Sequence, residues 1–137
     1  MSEEKKRVLM VPTGGTLGMS LPERTRRTLA SPDYLQRLLT RVPDLQEIAD
    51  ITLISPWNMD SSDIGPIHWQ KLANLITEKA GLEKPLGSPE SYDGVVVIHG
   101  TDTLAFTASA LAYMLRNLDR PVVITVCIRR RRHCHRP

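Results

Sequence analysis

Short apolar runs alternate with amphipathic segments along this chain of 137 residues. Four runs rich in Val, Ile and Leu predict buried strands, at residues 7–12, 51–54, 94–99 and 122–126. Between consecutive strands, apolar residues recur at helical spacing. This β-α-β-α-β-α-β order predicts an α/β fold, in which flanking helices and an open parallel sheet form three layers.

Prolines and capping residues set the expected ends of the helices. The first helix is expected between Pro32 and Pro43, where the second proline ends it. The second helix follows a capping Asp63, and its buried stripe comprises Leu72, Leu75 and Ile76. The third covers about residues 103–118, and its inward-facing residues are Ala108, Leu111, Ala112 and Leu115.

Hydroxyl-bearing turns follow two of the predicted strands. Thr13-Gly14-Gly15-Thr16 comes after the first strand, and His99-Gly100-Thr101-Asp102-Thr103 comes after the third. Parallel strands end at one edge of a sheet, where open α/β sheets bind ligands. Two threonine hydroxyls, a carboxylate and backbone N–H groups at that edge could attack a carbonyl and hold the oxyanion. Each motif alone also fits a tight turn or a helix cap without chemistry.

A third polar cluster, Asp60-Ser61-Ser62, stands between the second predicted strand and the second helix. Its small hydroxyls and its backbone N–H groups could hold a carboxylate. Taken alone, the cluster also fits an ordinary cap that opens the following helix.

Together these motifs resemble the L-asparaginases of the bacterial type, and within them the cytoplasmic (type I) branch. The resemblance is carried by residues 13–19, 59–64 and 94–110, and it covers residues 7–20 and 50–125 well. It implies that the catalytic residues are Thr16, Thr101 and Asp102. It also implies that the amino-acid end of L-asparagine is bound by Asp60, Ser61, Ser62, Thr101 and Asp102. On this resemblance the first threonine takes the acyl group, ammonia leaves, and water then frees L-aspartate without a cofactor or a metal.

The chain departs from the family pattern after Thr125. We expect residues 1–126 to be an asparaginase-like N-terminal domain and residues 127–137 to be an unrelated, disordered basic tail. The family chain is about twice as long as this domain. Its remaining part carries the lysine that pairs with the second threonine and aspartate, and much of a homo-oligomer interface. Residues 20–30 also lack the tyrosine that the family places beside the nucleophile. Since general-base help is worth about 10²–10⁴-fold, we expect very low activity of this chain alone.

The formal net charge of +3 is concentrated at one end of the chain. Five arginines lie in the last ten residues, and the rest of the chain is slightly acidic. The tail is short and lacks the interleaved aromatic residues that bind single-stranded nucleic acid. The apolar runs are too short for a membrane span, and the charged amino terminus is no secretory signal. We therefore predict a cytoplasmic protein with neither a nucleic acid nor a membrane as partner.

The remaining histidines and cysteines give weaker signals. His99 is expected to be a packed, hydrogen-bonded imidazole at a strand end, without a catalytic role, and His68 has no evident partner. His133-Cys134-His135 lacks the further ligands of a closed metal site. Nucleotide binding is disfavoured, because neither a Gly-x-Gly-x-x-Gly nor a phosphate-loop lysine pattern occurs.

Three alternatives stay open beside the asparaginase hypothesis. One is an amidotransferase component that uses the same chemistry on a tRNA-linked substrate, which an added RNA-binding domain would favour. Another is a non-catalytic domain that retains the carboxylate and ammonium contacts of an amino-acid site. The last is a non-functional truncation product, which would unfold without a cooperative transition.

Overall fold

Four parallel strands form one sheet in residues 5–14 and 43–126, the residues that this computed structural model describes. In chain order the elements are β1 (Lys6–Pro12), α1 (Pro43–Ile48), β2 (Ala49–Leu53), α2 (Pro66–Lys79), β3 (Gly94–His99), α3 (Leu104–Met114) and β4 (Val122–Val126). The strands lie in the order β2-β1-β3-β4, and each neighbouring pair is parallel. The predicted α/β fold, a parallel sheet with flanking helices, is confirmed.

The core lies beneath the two central strands, β1 and β3. Alternate residues of a strand face the same side of the sheet, so Leu9 and Val11 are buried on that side together with Val95 and Val97. The register places Leu9 opposite Val95 and Val11 opposite Val97. The helices cover these side chains with Leu72, Ile76 and Leu111. This packing fixes the position of the sheet edge at which β1 and β3 end.

A short helix that was not predicted, α1, begins at Pro43, because a proline at the first helical position forfeits no hydrogen bond. The helix predicted before it, at residues 32–42, and its end lie outside the described residues. The predicted end of the third helix is wrong. α3 stops at Met114 because Leu115 is already extended, and Asn117 then adopts a left-handed φ of 56°. Asparagine tolerates that conformation better than most residues, so the chain turns there.

The inward face of α3 also differs from its prediction. Ala112 is exposed, whereas the buried residues of this segment are Thr107, Leu111 and Leu115. Because α3 is apolar on nearly all sides, apolarity alone does not indicate which side faces the sheet. The buried Thr107 hydroxyl accepts a hydrogen bond from Trp69 Nε1 on α2 at 2.9 Å, which joins the two helices. No helix among the described residues is long and apolar enough to cross a bilayer.

Arg120, 4% exposed, holds the loop between α2 and β3. Its guanidinium donates to three backbone carbonyls of that segment, those of Ala80, Lys84 and Tyr92. It also forms a forked pair with the carboxylate of Asp119. The hydrogen bonds from Arg120 to the Asp119 carboxylate lower the pKa of Asp119. The pair therefore contributes stability above the ordinary pKa of an aspartate, and the contribution is lost as the pH falls through the lowered value.

Candidate active site

The turns that follow β1 and β3 lie at the same edge of the sheet, because these strands are neighbours and run in the same direction. Thr13 extends this pairing past the end of β1. Its backbone N–H donates to the Ile98 carbonyl at 3.0 Å, and its hydroxyl donates to the same oxygen at 3.2 Å. Thr13 therefore lies at the carboxyl end of β3, while the rest of the first turn, from Gly15 onward, lies outside the described residues.

Gly14 sits directly against the loop that follows β2. It forms an isolated parallel bridge with Met59, whose N–H donates to the Thr13 carbonyl at 3.4 Å. Its φ of +107° is a conformation that side chains rarely adopt, and a Cβ here would lie 2.3 Å from the Met59 carbonyl oxygen. Thr16, two positions further on, lies outside the described residues, so its role as nucleophile stays a prediction.

Thr101 and Asp102 are both exposed at the turn after β3. The Thr101 hydroxyl donates to Asp102 Oδ1 at 3.3 Å, so this carboxylate is the proton acceptor within reach of the threonine. The N-cap residue of α3 is Thr103, which makes no side-chain capping bond. Among the described contacts, neither Thr101 nor Asp102 caps the helix either, so both side chains are available to a ligand.

The Asp60-Ser61-Ser62 cluster forms a single 3₁₀ turn over Ser61–Asp63. Asp60 Oδ1 accepts hydrogen bonds from the Ser62 N–H at 3.0 Å and from the Ser62 hydroxyl at 2.8 Å. The capping alternative is thus correct for Asp60, but it caps this turn and not α2. Nor does Asp63 cap α2, since the residue before that helix is Gly65.

Ser61 joins the second and third motifs. It is 3% exposed, and its Oγ accepts the backbone N–H of Asp102 at 3.3 Å. Its carbonyl accepts the Thr103 hydroxyl at 2.6 Å. Because Ser61 Oγ accepts in this contact, its own O–H remains a donor for a ligand oxygen. The structure thus brings together Asp60, Ser61, Ser62, Thr101 and Asp102.

Sequence reasoning missed Thr103, whose hydroxyl makes the shortest of these contacts. A threonine directly before a helix looks like a cap, so the sequence signals a local role there. The bond to Ser61 spans 42 positions and depends on how two loops meet at the sheet edge. Nothing in the local pattern indicates such a contact.

The two histidines near this edge have structural contacts. His99 is 2% exposed, and its Nδ1 lies 2.8 Å from the Gly100 carbonyl, so that nitrogen carries a proton. This agrees with the packed, hydrogen-bonded imidazole that the sequence predicts. His68, expected to lack a partner, accepts the Gly65 N–H at 3.2 Å and meets the ring of Trp57 edge-on, with centroids 5.3 Å apart.

The arrangement suits a small zwitterion better than a metal. Two carboxylates, Asp60 and Asp102, can accept from an ammonium group, and the Ser61 hydroxyl can donate to a carboxylate. Across the part of the chain that the structure describes, no three His, Cys, Asp or Glu residues are grouped to hold a metal ion. The His133-Cys134-His135 sequence falls outside that part.

Comparison with known proteins identifies the relatives of this chain. The family model described as "Asparaginase, N-terminal" matches residues 7–135. L-asparaginase 1 of Escherichia coli K12 is 41% identical over 126 residues, which cover 89% of this chain and 34% of that protein. A glutamyl-tRNA(Gln) amidotransferase component of Thermococcus kodakarensis is 39% identical over 117 residues, covering 85% of this chain and 24% of the relative.

A solved structure gives the same result. L-asparaginase I from Vibrio cholerae superposes with a TM-score of 0.71 at 35% identity, covering 90% of this chain and 34% of that one. The chain therefore spans about a third of the length of these L-asparaginases, not the half that we expected. The family match also continues past residue 126, into the segment that we predicted to be an unrelated tail.

Proposed function

The chain belongs to the asparaginase family, as its N-terminal domain, and on that premise we propose that the carboxyl-edge site binds L-asparagine for hydrolysis to L-aspartate and ammonia. The observation that carries this proposal is the junction at Ser61. Through it, Asp60 and Ser62 are held next to Thr101 and Asp102. Motifs that lie some 40 positions apart thus form one polar surface.

We assign the binding groups by their hydrogen-bonding chemistry. Asp60 and Asp102 accept from the ammonium group of the substrate, and the Ser61 hydroxyl donates to its carboxylate. Ser62 contributes through Asp60, because its hydroxyl donates to the Asp60 carboxylate and holds it in place. Thr101 then stands beside the side-chain amide, with Asp102 as its hydrogen-bond acceptor. The free N–H groups at the start of α3 favour negative charge that develops nearby.

The proposed reaction has two steps. The Thr16 oxygen bonds to the amide carbon as the C–N bond breaks, and the threonine proton leaves with the nitrogen as ammonia. Water then adds to the ester, which restores the threonine hydroxyl and releases L-aspartate. Residues 20–30 hold no counterpart of the tyrosine that the family places beside the nucleophile. We therefore expect lower turnover, because general-base help is worth about 10²–10⁴-fold.

The wider setting of the site rests on the resemblance alone. We propose a cytoplasmic protein with L-asparagine as its small-molecule partner, and with a homo-oligomer interface supplied largely by segments beyond this domain. The similarity to an amidotransferase component supports a second substrate class, an amide donor used for a tRNA-linked acid. Comparing L-asparagine with L-glutamine as ligands addresses that choice.

Titration of the chain with amino acids tests the proposed site. We expect L-asparagine and L-aspartate to bind, and Asp102→Ala to weaken binding by about 10–100-fold, because a charge-assisted hydrogen bond contributes about 1.5–3 kcal/mol. Asp50→Ala, which removes an exposed carboxylate from β2, should leave the affinity unchanged. Isothermal titration measures the affinities, and an ammonia-release assay measures turnover.

Each alternative function has a distinct outcome in these measurements. Binding without ammonia release would favour the non-catalytic amino-acid-binding domain. A broad, non-cooperative unfolding curve would favour a non-functional truncation product. Equal affinities of the wild-type chain and Asp102→Ala would refute the site proposed here.

A further inference from the structure

Two hydrogen bonds join the turn of residues 60–63 to the turn of residues 100–103 in the described structure. Both end on Ser61, one on its hydroxyl and one on its carbonyl. The bond from the Thr103 hydroxyl to that carbonyl is 2.6 Å long, and the bond from the Asp102 N–H to Ser61 Oγ is 3.3 Å long. The Thr103 side chain therefore makes the closer of the two links.

The Thr103 hydroxyl acts away from its own helix. A threonine at the N-cap position ordinarily accepts a hydrogen bond from an N–H group in the first helical turn. Thr103 occupies that position in α3 and makes no such bond. Its hydroxyl proton goes to the other turn instead. The contact therefore serves the spacing between the turns and not the start of the helix.

Both ends of this link are attached to the core. The Ser61 carbonyl also accepts the Ile64 N–H at 3.1 Å, so the oxygen that Thr103 meets is fixed within its own 3₁₀ turn. On the other side, α3 is tied to α2 by the bond between Trp69 and Thr107. The Thr103 hydrogen bond therefore connects two anchored elements, the 3₁₀ turn and α3, and sets the spacing between the two turns.

We propose that Thr103 is a positioning residue, which sets the distance between the Asp60-Ser61-Ser62 cluster and the Thr101–Asp102 pair. This inference rests on the proposed function, because that distance matters only if both groups hold one amino acid. Thr103 does not touch the ligand. It acts through Ser61. The hydrogen bond keeps the ammonium-binding and carboxylate-binding groups at the distance that lets both contact one amino acid.

Amide hydrogen exchange without any ligand tests the link directly. Thr103→Val keeps the shape of the side chain and removes the hydroxyl, whereas Thr103→Ser keeps the hydroxyl. We expect the valine variant to exchange at least tenfold faster at the N–H groups of Ile64 and Asp102, which both donate to Ser61. The serine variant should stay within threefold of the wild type. Thr103→Ala compared with Thr103→Ser repeats the test if the valine variant does not fold.

Affinity for L-aspartate tests the positioning role. We expect Thr103→Val to bind at least tenfold more weakly and Thr103→Ser to recover wild-type affinity within threefold. Thr77→Val is the matched control, because it makes the same substitution at a half-buried position near the end of α2 that lies away from the turn of residues 60–63. It should leave the affinity unchanged.

The outcomes separate this inference from the function on which it rests. Unchanged exchange at Ile64 and Asp102 in the valine variant would overturn the inference whatever the chain binds. Faster exchange with unchanged affinity would overturn the positioning role, and so would a loss of affinity that the serine variant fails to restore. A wild-type chain that binds no amino acid would refute the proposed function, while the exchange comparison would still decide whether Thr103 links the turns.

Discussion

Alanine in place of Gly14 is expected to lower the free energy of unfolding by about 3 kcal/mol. Two effects combine at this position. The backbone has a φ of +107°, and the added Cβ would lie 2.3 Å from the carbonyl oxygen and 2.6 Å from the nitrogen of Met59. Both neighbours are backbone atoms, so neither can swing aside as a side chain does. Urea denaturation followed by tryptophan fluorescence measures the loss.

Gly87 provides the control for this substitution. It also has a positive φ, +85°, but a Cβ there would meet nothing within 4 Å. Gly87→Ala therefore isolates the conformational cost, for which we expect about 1 kcal/mol. Equal losses in the two variants would mean that the contact between Gly14 and Met59 does not constrain the turn. We also expect Gly14→Ala to weaken amino-acid binding, because the displaced Met59 precedes the Asp60 cluster.

Replacement of Arg120 by methionine is expected to cost about 3 kcal/mol of stability. The substitution fills similar space but removes the donors to the Lys84 and Tyr92 carbonyls, at 2.8 and 3.0 Å. The Tyr92 carbonyl lies immediately before Asp93 and the start of β3, so the loop that leads into the central strand loses its support. Denaturant unfolding again measures the loss.

Arg116→Met is the matched control, since Arg116 is exposed and donates only to the Tyr113 carbonyl at 3.2 Å among the described contacts. We expect a change within about 0.5 kcal/mol for it. Arg120→Lys should fall between the two, because lysine keeps the charge but not the planar fork that reaches several carbonyls. A loss in Arg120→Met no larger than that in Arg116→Met would contradict a supporting role for the buried guanidinium.

The fold could be predicted because its signals are local. Continuous runs of Val, Ile and Leu indicate that β1 and β3 are buried strands, and the spacing of Leu72 and Ile76 gives α2 an apolar stripe. Strand-helix alternation then leaves few topologies other than a parallel sheet. The end of α3 could not be predicted, because Leu115 and Leu118 continue the helical spacing of apolar residues, whereas the helix stops at Met114 before Asn117 turns the chain.

For the site, the sequence could predict which residues belong to it but not the contacts between them. Parallel strands bring the turns after β1 and β3 to one edge, and the family resemblance implied that the Asp60 cluster joins Thr101 and Asp102. The contacts of Ser61 bring these residues together. The atoms that link these residues depend on how the loops are positioned relative to each other at the sheet edge. No local sequence pattern encodes that position, as the Thr103–Ser61 bond shows. Buried Arg120 was missed for the same reason, because its acceptors are carbonyls of a distant loop.

The order of strands in the sheet also affects how this domain comes to be folded. β1 is synthesised first, yet both of its neighbours, β2 and β3, come later in the chain. No strand pairing is available to β1 until residue 49 has emerged, and the turns of the site cannot meet until about one hundred residues exist. Pairing across such separations is slow, because the loop must close before any contact compensates for it. Refolding is therefore expected in the millisecond-to-second range, and stopped-flow fluorescence of Trp57 and Trp69 would record it.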